Sequence, residues 1–165
     1  MLGGIRATNS SSGAVTVTNR GNIATSGGTI QVGTNQFSNS GTMALTNGLL
    51  SINQHNVSFG NLGTVTGSGS KLYLAYGTMD LGGGTLGLGA GTAFASLQTY
   101  AGDGVFRNGT IVNHGGLAQD WFGLLNATAW RGLLEVPAAG AVYFSNGFDV
   151  RDAAGSGRGH ILVDG

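Results

Sequence analysis

Apolar and polar or small residues alternate in short runs along most of the chain. Ile30 and Val32 flank Gln31, Leu50 and Ile52 flank Ser51, Leu72 and Leu74 flank Tyr73, and Leu86 and Leu88 flank Gly87. Successive side chains of a strand point to opposite faces of its sheet, so each run predicts a strand with one face inward and one outward. The runs also recur. Ile30-Gln31-Val32, Leu50-Ser51-Ile52 and Leu72-Tyr73-Leu74 follow one another at a nearly constant interval. A second column, Val17-x-Asn19-x-Gly21, Phe37-x-Asn39-x-Gly41 and Phe59-x-Asn61-x-Gly63, keeps the same steps. Such self-similarity marks a solenoid, in which each coil is buried only by its neighbours. An all-β solenoid, a parallel β-helix with coils of roughly 20 residues, is expected.

Stacking sets like residues about 4.8 Å apart, so Asn19, Asn39 and Asn61 are expected to form an amide ladder, with Phe37 over Phe59. Glycine and asparagine between the runs supply the positive-φ corners at which each coil turns. A Gly-Thr or Gly-Asn column extends through Gly21, Gly41, Gly63, Gly77, Gly91 and Gly109, and its steps shorten on either side of Gly77. Two readings of the short steps stand side by side. Either they are short coils, or Gly77 lies on a second face of one longer coil.

These patterns divide the chain into an irregular lead-in over 1–13, solenoid coils over 14–112, an irregular excursion over 113–131 that holds both tryptophans, and further coils over 132–165. The closing run from Gly157 to Gly165 reads as a strand starting another coil, so the chain is expected to be part of a longer protein with adjoining coils.

Composition narrows the classes. Glycine is 33 of 165 residues and charged residues only 8%, yet 41% apolar content in alternating runs argues for folding and against disorder. The seven basic residues are scattered and the net charge is zero, which leaves no electrostatic footprint for nucleic acid. No apolar run approaches the roughly 20 residues of a membrane-spanning helix. The absence of cysteine removes disulfides, thiol chemistry and Cys-ligated zinc.

The Asn-x-Gly-Thr-apolar copies, Gly67-Ser68-Gly69-Ser70 leading into Leu72-Tyr73-Leu74, and Gly84-Thr85-Leu86-Gly87-Leu88-Gly89-Ala90-Gly91-Thr92 resemble the β-strand repeats of bacterial filamentous-haemagglutinin and autotransporter-passenger surface proteins. The resemblance covers residues 14–112 well and 132–165 more loosely. It implies a right-handed parallel β-helix in a secreted or cell-surface adhesin, whose partners would be host or environmental glycans or surface proteins.

Candidate chemistry is sparse. Gly82-x-Gly84-x-x-Gly87 spells a dinucleotide fingerprint but leads into a strand, with no helix N-terminus to hold a pyrophosphate, so it reads as a tight corner. The Gly-rich run over 82–91 lacks the aspartates of calcium-binding repeats, and His55, His114 and His160 lack metal-ligand spacing. No metal or cofactor is expected. Asp149, Arg151, Asp152 and His160 offer the carboxylates and bases of a β-helix polysaccharide lyase or hydrolase, which is the alternative to an adhesive scaffold. The preferred binding candidates are Trp121, Phe122 and Trp130, with Asp120 or Arg131 orienting the partner, because indoles supply large apolar contact area. The competing role for these tryptophans is to cover the coil beneath them.

Overall fold

The computed structural model describes residues 5–8, 16–34, 36–100, 104–119, 122–138 and 140–163. Among the described residues seventeen strands follow one another: β1 (Ile5–Thr8), β2 (Thr16–Asn19), β3 (Asn22–Ser26), β4 (Thr29–Gly33), β5 (Gln36–Asn39), β6 (Thr42–Thr46), β7 (Leu49–Ser58), β8 (Thr64–Ser68), β9 (Ser70–Asp80), β10 (Thr85–Gly89), β11 (Phe94–Thr99), β12 (Gly104–His114), β13 (Leu117–Gln119), β14 (Phe122–Arg131), β15 (Leu133–Val136), β16 (Ala141–Arg151) and β17 (His160–Val163). Every pairing between these strands is parallel. Together they form a β-solenoid of about six turns with about 22 residues per turn.

The alternation read from the sequence sets the register. Ile30 lies beside Leu50, Leu50 beside Leu72, and Leu72 beside Leu97, while Val32, Ile52 and Leu74 form the next inward column. All are buried. Outside them run Gln31, Ser51, Tyr73 and Gln98. Ser51 points outward as expected but is also buried, because its short side chain is covered by its neighbours and its hydroxyl bonds Asn53 Oδ1 at 3.0 Å.

The widest coils, in the first half of the chain, have four faces. One holds β2, β5 and a 3-10 turn at Phe59–Leu62, and the next holds β3, β6 and β8. The third holds β4 and the first parts of β7 and β9, and the fourth holds the second parts of β7 and β9 alone. The asparagine ladder spans the corner between the first two faces, but with two asparagine rungs in place of the expected three. Asn19 Nδ2 donates to Asn39 Oδ1 at 2.8 Å, and Asn39 Nδ2 donates to the Leu62 carbonyl at 2.8 Å. Asn61 is exposed because the third coil enters this corner through the 3-10 turn, which brings a main-chain oxygen where an amide was expected. At the same corner a Cβ on Gly41 would overlap the Gly21 carbonyl, so the close stacking of Asn39 over Asn19 requires glycine there.

After β9 the cross-section narrows. Leu81 to Gly84 make a tight turn, with Gly84 N bonding Leu81 O at 2.8 Å, where earlier coils carry their first face. β12, β14 and β16 then pass from the fourth face to the second within one long strand, bending at Asn108, Ala127 and Asn146, whose φ values are 56°, 47° and 53°. The geometry resolves the short glycine steps: Gly77 lies on the fourth face opposite Gly104, and Gly91 lies in the turn between β10 and β11. Thr42 stacks on Thr64, but Thr78 stands on another face beside Asn56, and Thr110 pairs with Thr85, not Thr92.

The expected excursion over 113–131 is instead, from Phe122 to Arg131, an in-register strand between β12 and β16. Trp130 takes the place beside Ile111, at a shorter step than in the first coils, because the narrowed coil needs fewer residues.

Removing inward volume or a buried corner amide should destabilise the stack. In urea denaturation, Leu72→Ala should cost about 2–5 kcal/mol. Asn39→Ala should cost about 1–3 kcal/mol by stranding the Leu62 carbonyl and the Gly41 N–H that its side chain satisfies. Asn61→Ala should stay within about 0.5 kcal/mol. Equal losses at Asn39 and Asn61 would contradict this register.

Candidate functional site

Two of the tryptophan-based candidates, Trp130 and Arg131, take part in packing and in bonds within the solenoid. Trp130 is fully buried, stacked between Ile111 and Val150, and its indole N–H donates to the Leu133 carbonyl at 3.1 Å. It fills the narrowed interior. Arg131 is held by Asp149, with Nη2 to Oδ2 at 2.9 Å, and by the carbonyls of Trp130 and Asp149. Phe122 opens β14, whereas Asp120 and Trp121 lie outside the described residues.

Of the set Asp149, Arg151, Asp152 and His160, the first three make bonds that tie β16 and the loop after it. Asp149 and Arg151 share an outer face of β16, and the Asp149 carboxylate is clamped between Arg151 Nε at 3.1 Å and Arg131 Nη2 at 2.9 Å. The bond from Arg151, reinforced by Arg131, holds its carboxyl below the ordinary carboxylate range. Asp152 is likewise lowered, first by the Gly157 N–H and then by other main-chain donors of the loop that it closes. Arg151 reaches the Gly155 carbonyl at 3.3 Å and ties down the same loop. His160 stands on β17 beside Leu133 and is exposed. A third anchored carboxylate, Asp80, accepts from the Gly82 N–H, Asn108 and Arg107 at the narrowing turn, and the Gly82 bond leads in lowering its pKa. Among the described residues no group of three His, Asp or Glu side chains is placed to hold a metal ion.

What the structure brings together is a set of outward tyrosines on the third face and its corner. Lys71 and Tyr73 point outward from β9, and in the next coil Ser96 and Gln98 lie beside them. Tyr100 continues that outward alternation past the end of β11, where its N–H bonds the Leu74 carbonyl at 3.2 Å. Tyr76 lies at the adjoining corner beside Asn53. Tyr100 is 59% exposed and Tyr76 is 40%, so ring surface is available to a ligand. Tyr73 is more covered; burial, and then proximity to Tyr100, raises its phenol pKa. Lys71 Nζ donates to Gln98 Oε1 at 3.3 Å, placing a cation and an amide beside the rings.

Such an arrangement can stack an apolar sugar face on a phenol and bond hydroxyls with the amide and ammonium groups. Lys71-x-Tyr73 and Gln98-x-Tyr100 both occupy outward positions in the sequence, which is the signal that marks this site. The step from Tyr73 to its partner Gln98 is longer than the step from Ser51 to Tyr73, so a search at the common period passes over it.

The fold and these surfaces define the class as a parallel β-solenoid. No family model, curated protein or solved structure matches the chain. No helix among the described residues is long and apolar enough to cross a membrane.

The lowered carboxylates set the acid limb of stability. Folding stabilises the charged forms of Asp80, Asp149 and Asp152, so their contribution is complete above the unfolded value of about 3.9 and is lost as pH falls through the lower folded values. Thermal melting from pH 7 to 2 should be nearly level above about pH 5 and fall steeply below about pH 4. Asp149→Asn should flatten part of that fall. An unchanged acid limb in this variant would show that the Asp149 clamp does not contribute.

Proposed function

We propose that this chain is a segment of an adhesive scaffold displayed outside a bacterial cell, of the filamentous-haemagglutinin or autotransporter-passenger kind, and that it holds neutral glycans against its third face. The observation that carries the reading is the cluster of Tyr73, Tyr76 and Tyr100 on a regular, low-charge sheet surface. The stacked coils fix the spacing of the rings, so a sugar chain meets a prepared surface and little ordering is required on binding. Lys71, Gln98 and Asn53 supply donors and acceptors around the rings. One such site gives weak binding; repeated display on a surface would raise avidity.

The sequence resemblance supports the same reading through the strand repeats over 14–112. Low charge also suits recognition of neutral sugars, with selectivity coming from ring stacking and hydroxyl geometry.

A panel of immobilised neutral and acidic glycans tests this directly. The protein should bind members of the neutral set, and the double variant Tyr76→Ala/Tyr100→Ala should lose about tenfold or more in affinity while its melting temperature moves little, because both rings are exposed. Binding that is undiminished in the folded double variant, or no binding across the panel, would overturn the assignment.

A further inference from the structure

The second face is interrupted at the point where the cross-section narrows. β3, β6 and β8 form a sheet that ends at β8, while β10 is joined to β12 along its length and meets β11 only at Leu88 beside Phe94. Between β8 and β10 lies a cleft of about 480 Å³, within the roughly 300–1,000 Å³ of ligand sites. Phe59, at the lower end of the first face, and Phe94, at the start of β11, line it. It exists because the 3-10 turn holds β8 on the wider cross-section while the tight turn at 81–84 places β10 on the narrower one.

The banks of this cleft are main-chain edges. Thr64 N bonds Gly41 O at 3.1 Å, so Thr64 and Thr66 turn their peptide groups toward β6, and Val65 and Gly67 turn theirs toward the cleft. On the other bank Thr110 N bonds Gly84 O at 3.0 Å, which directs the peptide groups of Thr85 and Gly87 toward the cleft. Donors and acceptors therefore face inward from two strands of the same direction. A ligand that answers both edges needs alternating N–H and C=O groups at strand spacing, which is the chemistry of an extended peptide. The lining also specifies its side chains. Val65 and Leu86 close the inward column on either side and call for an apolar residue between them, whereas Thr66 on one bank and Thr85 on the other border two successive outward positions suited to threonine or serine. Among the described residues that line the cleft none is charged, which disfavours a charged segment.

We infer that the cleft between β8 and β10 is a binding site for an extended, uncharged peptide of alternating apolar and small polar residues, which enters parallel to both banks and joins the two ladders of the second face. This site is separate from the tyrosine cluster and stands whether or not glycans bind there. β6, whose burial alternates along Thr-Met-Ala-Leu-Thr, has the required pattern, so a synthetic copy of residues 40–48 is a suitable probe.

The experiment titrates this peptide into the isotopically labelled protein and follows its amide signals. Saturable shifts are expected at Val65, Gly67, Thr85 and Gly87, and a peptide N-methylated at its methionine and leucine, with its side chains unchanged, should bind about tenfold or more weakly because main-chain donors are lost. The inference is overturned if the parent peptide produces no saturable shift at those amides, if both peptides bind equally, or if a neutral oligosaccharide shifts the cleft amides and the peptide does not.

Discussion

Each coil of this protein is stable only because its neighbours complete it, and the corner asparagines are where that dependence is most demanding. Asn39 is buried and shares its side chain between the Gly41 N–H of its own coil and the Leu62 carbonyl of the next. The same device returns at a later corner, where Asn113 accepts from Gly116 N–H at 2.6 Å and donates to the Leu133 carbonyl at 2.8 Å. Backbone turning out of one strand cannot pair in that strand's ladder, and a buried unpaired peptide group is costly. A short amide side chain placed at the turn satisfies both coils at once. The inward columns supply most of the burial, while these amides fix where each coil changes direction.

A second constraint follows from the change in cross-section. The four-faced coil that separates β6 from β8 is longer than the three-faced coil that separates β12 from β14. The interior must be refilled at that transition. Trp130 follows Leu86 and Ile111 in one column and Phe106 follows Met79 in another, so aromatic side chains accompany the narrower outline. The surface records the same transition as the cleft between β8 and β10. Its neighbouring turn is anchored by Asp80, which joins Gly82 of one coil to Arg107 and Asn108 of the next.

Most of the fold was legible because solenoid stacking repeats side-chain chemistry at fixed intervals: the columns through Ile30, Leu50 and Leu72 are visible as letters. What was not legible came from places where spacing changes without a change in the stacking rule. The steps around Gly77 could be read in two ways until its pairing with Gly104 showed a separate face. Trp130 looked like part of an excursion because an indole has no counterpart in the earlier coils, yet it is an inward rung at a shorter step. Tyr100 shares an outer surface with Tyr73 across a step lengthened by the turn over 90–93. The outward placement of Tyr73 was evident from alternation; its assembly with Tyr76 and Tyr100 depended on that altered register.

The coils stack in one parallel register, tied at the corner by Asn39 and open on one face between β8 and β10. Scalar couplings transmitted across hydrogen bonds in solution NMR test it most directly. Couplings should connect the Thr64 N–H with the Gly41 carbonyl and the Asn39 side-chain amide with the Leu62 carbonyl, and none should join β8 to β10. Absence of the Asn39 to Leu62 coupling, or a continuous series of couplings from β8 to β10, would contradict the account.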